Sequence, residues 1–172
     1  LLHSERSLPA KELTALADRI WYPIWDAGVR LDHSVRTVTQ CRQVAAADFI
    51  AAVGLLDLSP LAGDEQLVVA ARSTVAHDWR GNARKRLPQL VEAVASRHQR
   101  QGDLAQSIEP ELKEAHGGLR DMTVLAALAE AWLADRPHGG VDAAQSTLLD
   151  VRDAVHVVTG RGRDRLGRED HD

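Results

Sequence analysis

From Asp64 to the end of the chain, apolar residues recur at helical spacing, and this periodicity constrains the fold more than any other feature. Leu67, Ala71, Thr74, Val75 and Trp79 fall on one stripe, and Leu87, Leu90, Val91, Val94 and His98 on a second. Leu125, Leu128, Ala129, Trp132 and Leu133 make a third; Leu148, Val151, Val155 and Val158 make a fourth. A striped helix must bury its apolar side against another element, so this region is expected to form a helical bundle. Gly81-Asn82, Gln101-Gly102-Asp103 and Pro137-His138-Gly139-Gly140 read as the loops between the stripes. On this pattern His98 is a core or boundary histidine rather than a ligand. The four tryptophans are packing residues rather than a platform for stacked bases.

The first 62 residues read differently. Leu13, Leu16, Ala17, Ile20, Trp21 and Ile24 predict a helix over 9–27, with Pro9 in its first turn and Glu12 near its positive end. Pro23 removes a backbone donor and should kink it, and Gly28 should end it. Residues 29–38 are rich in β-branched side chains and predict a strand, followed by a short helix over 39–47. The apolar run 49–58 is too short for periodicity to decide; the reading taken is a helical turn leading into a strand at 54–58. Leu1-Leu2-His3 reads as the end of a further strand. The expected fold class is mainly α with a small α/β part.

The chain has 172 residues, enough to bury one ordinary core. A net charge of −4 argues against a dedicated nucleic-acid binder, which carries a basic excess. Arginine outnumbers lysine eighteen to three, which reflects base composition rather than phosphate recognition. Cys41 is alone, so no disulfide or cysteine–zinc framework forms within the chain, and no apolar run is long enough to span a membrane. A cytoplasmic protein fits. The chain opens on Leu1 and its single methionine is Met122, so it is expected to be a piece of a longer protein.

Three motifs carry a resemblance. Residues 109–121, Glu-Pro-Glu-Leu-Lys-Glu-Ala-His-Gly-Gly-Leu-Arg-Asp, concentrate acids, bases and a glycine pair directly before a helical pattern. Residues 21–29, Trp-Tyr-Pro-Ile-Trp-Asp-Ala-Gly-Val, are followed by His33-Ser34-Val35-Arg36-Thr37. Residues 55–64 read Leu-Leu-Asp-Leu-Ser-Pro-Leu-Ala-Gly-Asp. In this order they resemble the E-P-N-x-K-E-G-P-G-G-L-R-D, Y-P-x-W-D-A-G…G-H-S-V-R-T and L-L-[DE]-A-R-L-[LV]-A-G-D signatures of the bacterial bifunctional PII uridylyltransferase/uridylyl-removing enzymes. Ser59-Pro60 and Ala115-His116 depart from the pattern, the latter replacing a Gly-Pro.

The resemblance implies that residues 1–62 are the C-terminal remnant of a polymerase-β-like nucleotidyltransferase domain, beginning just downstream of the D-x-D strand. Residues 63–162 would form the helical domain that follows, and 163–172 the start of a linker toward an absent HD domain. It implies transfer of a uridylyl group from UTP to a tyrosine of a PII signalling protein, with Mg²⁺ required. It also implies hydrolytic removal by the HD domain and glutamine sensing through domains absent from this chain. Asp57 matches the third catalytic carboxylate and metal ligand. Ser34 and Arg36, placed on one face of a strand by their alternation with Val35, suit ribose or triphosphate oxygens. Lys113, Gly117, Gly118 and Arg120 belong to a loop that contacts substrate or, on the favoured reading, is pinned by ion pairs against the nucleotidyltransferase remnant. Lacking the D-x-D carboxylates, the chain alone is not expected to catalyse transfer.

Alternatives stand beside this reading: adenylyl transfer to PII from ATP, kinship with the adenylyltransferase of glutamine synthetase, and a helical interaction module without chemistry. His77-Asp78 and His171-Asp172 spell the HD dipeptide but lack its further ligands and read as coincidence.

Overall fold

The computed structural model describes residues 1–5, 8–137 and 139–170. Six α-helices are present: α1 (Ala10–Asp26), α2 (Val38–Ala47), α3 (Phe49–Leu56), α4 (Glu65–Gln101), α5 (Leu119–Glu130) and α6 (Val141–Thr159). The chain divides into two compact units, Leu1–Asp78 and Trp79–Asp172, with α4 passing from one to the other. The mainly helical expectation holds. The small β component does not: among the described residues pairing is confined to isolated bridges, Leu2 with Arg36, Asp103 with His116 and Glu111 with Arg165.

In the first unit, α1 starts after Pro9, which occupies the N-cap rather than the first turn, and keeps Pro23 within its length. Gly28 closes it with φ +77, a conformation that suits a residue without Cβ, and its N–H donates to Trp25 O. The strand expected over 29–38 shrinks to the bridge at Arg36, and Val38 already belongs to α2. Thr37 accounts for this. Its side chain accepts from the Gln40 N–H while Gln40 returns a bond to the Thr37 N–H, a reciprocal cap that starts the helix there. Asp48 starts α3 in the same manner, accepting from the N–H groups of Ile50 and Ala51. The helix then runs to Leu56, so the strand expected at 54–58 is absent. α2 packs on α3, burying Cys41, Ala45, Ala52, Leu55 and Leu56. Burial pushes the Cys41 thiol pKa up, which leaves it a packing residue. Arg42 on α2 pairs with Asp78, Nε to Oδ2 at 2.5 Å, so the His77-Asp78 dipeptide has a structural carboxylate.

α4 is a single 37-residue helix that passes through Gly81-Asn82, where a loop was expected. The buried neighbours Trp79 and Ala83 hold the helix through the glycine, whose cost of about 1 kcal/mol packing overrides. Gly102, at φ +74, ends the helix as expected. In the second unit the core is Trp79, Ala83, Leu90, Leu112, Ala115, Ala127, Ala131 and Val155. The Trp79 indole N–H donates to Ala127 O at 2.8 Å, so the largest core side chain is also polar-satisfied. The third and fourth stripes fall on α5 and α6, which pack together, but they overreach at their ends. Val158 is exposed, and Trp132, beyond the end of α5, is 82% exposed with φ +56. It is therefore not a core residue; the Arg80 guanidinium lies over its ring at 5.1 Å.

Candidate functional site

Asp57 caps the C-terminal end of α3, with its N–H donating to Gly54 O at 3.3 Å and its side chain open to solvent. The position is thus a helix end rather than the strand end expected. Ser34 and Arg36 are half-buried in the irregular segment between α1 and α2. Arg36 is held by main-chain bonds, its N–H donating to Leu1 O at 3.0 Å and its carbonyl accepting from the His3 N–H at 3.1 Å. This fixes the backbone and leaves the guanidinium to other work. Among the described residues no hydrogen bond or ion pair joins Asp57 to Ser34 or Arg36.

The same segment carries an aromatic cluster that the helical pattern alone did not reveal. Trp21 and Trp25 are four residues apart on α1 and so share a face. His33 meets both, with ring centroids 5.7 Å from Trp21 and 4.9 Å from Trp25, and Tyr22 meets Trp25 edge-on at 5.7 Å. The Trp25 indole N–H donates to Leu31 O at 3.4 Å, tying the helix to the loop that follows it. Trp25 and residues 28–32 line an open cleft of about 450 Å³.

In the second unit the structure brings Lys113, Gly117, Gly118 and Arg120 into one braced loop. Three segments hold it. His116 pairs with the turn after α4: its N–H donates to Gly102 O at 2.9 Å and its carbonyl accepts from the Leu104 N–H at 3.0 Å. Pro110 and Leu112 pair with the segment after α6, through Leu166 N–H to Pro110 O at 3.0 Å and Leu112 N–H to Asp164 O at 2.7 Å. The third anchor is Arg97 of α4, buried to 7% exposure, which donates to Glu114 O at 2.7 Å and pairs with Asp121.

Asp121 is the hub of this arrangement. It accepts from Arg97, from His98 Nε2 at 2.9 Å and from the Gly117 N–H at 2.7 Å. Burial pushes its pKa up, but the hydrogen bonds from Arg97, Gly117 and His98 and the charge of Arg97 outweigh that and hold it below the ordinary carboxyl range. At Asp164 burial again acts upward and is outweighed by Arg152 at 2.5 Å, with the charges of Lys113 and His156 adding to it. Lys113 lies 3.7 Å from Asp164, and Arg120 lies 2.9 Å from Glu114. Both bases proposed for substrate contact therefore already have carboxylate partners within the loop's own surroundings.

Gly117 and Gly118 serve different needs. Gly117 has φ +85, and Gly118 is the N-cap of α5. A Cβ at Gly118 would meet the carbonyl oxygens of Leu112, Lys113 and Ala115 at 2.9, 2.9 and 3.0 Å, so only hydrogen fits there. Two of those oxygens accept from the first turn of α5: Leu112 O from Leu119 N–H, and Lys113 O from Arg120 N–H. The departure at Ala115-His116 is accommodated: Ala115 is buried, and the His116 N–H, which a proline would lack, makes the bond to Gly102. Sequence reasoning missed Arg97 and Asp121 as the hub. The available signal was Asp121 three residues after the Gly118 cap, where an acid reaches back to orphan N–H groups.

Among the described residues no group of three or more His, Cys, Asp or Glu is placed to hold a metal ion. Asp57 offers one carboxylate, which by itself is not a magnesium site. No helix among those residues is long and apolar enough to cross a membrane.

The GlnD PII-uridylyltransferase family model matches residues 85–133, the stretch holding the second half of α4, the braced loop and α5. The chain is 52% identical over all its 172 residues to the bifunctional uridylyltransferase/uridylyl-removing enzyme of Streptomyces coelicolor, covering 20% of that protein. It is 48% identical, over 96% of its length, to the protein of that name from Mycobacterium tuberculosis H37Rv, and 41% identical, over 87%, to that from Corynebacterium glutamicum. It covers 21% of each of these two. No solved structure matches. The chain spans about a fifth of the length of the curated relatives it matches, and by that likeness along its whole extent it belongs to the family of bifunctional uridylyltransferase/uridylyl-removing enzymes.

Proposed function

We propose that this chain is part of an enzyme that transfers a uridylyl group from UTP to a tyrosine of a PII regulatory protein. A separate HD domain of the longer protein would remove the group, and glutamine status would be sensed by further domains. The observation that supports this most is the 52% identity over the full chain to an enzyme named for both activities. The interaction-module and glutamine synthetase adenylyltransferase readings are not favoured, because the matched relatives are named uridylyltransferases. A cytoplasmic setting goes with the same proposal.

In this reading the first unit contributes to a nucleotidyltransferase site and the second supports it. Asp57 supplies one carboxylate to a Mg²⁺ site whose other carboxylates come from a D-x-D strand elsewhere in the longer protein. Bound there, the ion would offset charge on the phosphates. Ser34 and Arg36 lie on a fixed backbone segment, which suits them to hold ribose or phosphate oxygens without a cost in chain ordering. The test is transfer of label to purified PII by the full-length protein, comparing UTP with ATP. Label from UTP on a PII tyrosine is expected. Label from ATP alone, or none from either, contradicts the reading.

A further inference from the structure

We infer that the cleft between the end of α1 and the loop 28–32 receives the base of the nucleotide donor, with Trp25 as its aromatic wall; this rests on the nucleotidyl-transfer reading above. The ring is placed for such a role, because it is half-buried, packed by Tyr22 and His33, and tied to Leu31 O through its N–H. A tryptophan held on several sides while it still lines an open cleft loses little freedom when a planar ligand stacks on it. The remaining lining is Gly28, Val29, Arg30, Leu31 and Asp32, and the volume of about 450 Å³ lies in the range of nucleoside-sized sites. Gly28 has open space where a Cβ would stand, so the cleft is not pinched at its helix end.

The polar rim matches a heterocycle with a hydrogen-bonding edge. Among the described residues nothing accepts from the backbone N–H of Leu31 or Asp32, and the Asp32 side chain is exposed. Main-chain donors beside an acidic acceptor complement the alternating carbonyl and N–H groups of a pyrimidine edge. Connectivity favours a base over a tyrosine side chain of the acceptor protein. Ser34 follows Asp32 by two residues, at most about 7 Å of chain, which is close to the span of a ribose between a base and its 5′ phosphate. A base in the cleft thus puts its sugar and phosphates at Ser34 and Arg36. Sequence alone, which reads Trp25 as a packing residue, does not distinguish a packed ring from one that also lines a cleft.

The experiment uses the full-length enzyme. Trp25→Ala should raise the KM for UTP roughly 10- to 100-fold, the size of a lost base–aromatic stack, while Trp25→Phe recovers most of it. Inhibition by inorganic tripolyphosphate, which has no base, should be unchanged in both. Val29→Glu, at a position already 54% exposed and so tolerant for folding, should also raise the KM by placing a carboxylate in the cleft. A UTP KM within twofold of wild type in Trp25→Ala or Val29→Glu overturns the assignment. So does a parallel loss of tripolyphosphate inhibition, a failure of phenylalanine to recover the KM, or a rise in KM for the acceptor protein instead of the nucleotide. If the wild-type enzyme takes ATP, the uridylyl reading fails while the cleft survives, provided Trp25→Ala then raises the KM for ATP.

Discussion

The two units hold their family motifs by different means. In the second, the loop around Gly117-Gly118 is tied to α4, to the turn after α4 and to the segment after α6, and every base on it that looked free for a ligand has a carboxylate partner. In the first, Asp57 ends a helix in solvent, and the hydrogen bonds that fix Ser34 and Arg36 among the described residues are to their backbone. The ion pairs of the charge-rich motif agree with the bracing role favoured for it from sequence. Dense charge in residues 109–121 marks a brace, and the sparse polar positions at 34, 36 and 57 are the ones left available for chemistry. The lesson is that partner availability, rather than charge density, separates the two.

That contrast can be broken by substitution. The largest effect is expected at the hub. Asp121→Ala leaves Arg97 without its carboxylate; the side chains are 9% and 20% exposed, so the loss should be about 2–3 kcal/mol, short of that for a fully buried pair. Denaturant unfolding followed by far-UV circular dichroism measures it, and a loss below about 1 kcal/mol would mean the hub does not brace the loop. Gly118→Ala should cost about 2 kcal/mol, because backbone oxygens rather than flexible side chains crowd the added methyl. Gly117→Ala, with only its positive φ against it, should cost about 1 kcal/mol. If the two glycines proved equal, the steric account of Gly118 would be wrong.

In the first unit the stability effects are smaller and local. Asp48→Ala should cost about 1 kcal/mol through its two N-cap bonds and speed amide exchange in α3 without touching α5. Acid should discriminate as well. The carboxyls of Asp121 and Asp164 sit below their unfolded value in the folded chain. Their contribution is therefore complete above that value, roughly pH 4, and is lost as pH falls through the lowered folded values. Amides at Leu112, Leu119 and Leu166 should lose protection on acidification below about pH 4 before those of α2 and α3. Simultaneous loss would remove the two carboxylates as the cause.

How much of this was legible beforehand follows the range of each interaction. Helices α1 and α2 and the break at Gly102 rest on local periodicity and on single residues, and sequence reading placed them within a residue or two. Thr37 with Gln40 and Asp48 before an apolar run were also local signals; missing them produced two strands that the chain does not form. Gly81 misled in the opposite direction, because burial of Trp79 and Ala83 holds the helix through it. Only half of the hub was legible, in Asp121 three residues after the Gly118 cap; its partners on α4 were not. Arg97 and His98 lie 24 and 23 positions before Asp121, and nothing in the spacing of α4 marks which arginine turns inward. Trp132 shows the same limit: the stripe continues past the end of α5, and the backbone turn at φ +56 carries its ring into solvent.

The division of labour between the units can be measured in one comparison: uridylyl transfer to PII per folded molecule of full-length enzyme, for Asp57→Asn beside Arg120→Ala. Asp57→Asn should lower transfer by about 10²–10³-fold or more with its unfolding midpoint unmoved, as for a group that acts electrostatically on the reacting phosphates. Arg120→Ala should shift stability by less than about 1 kcal/mol and keep transfer within a few-fold of wild type. Retained transfer in Asp57→Asn, or abolished transfer in a fully folded Arg120→Ala enzyme, would contradict the account.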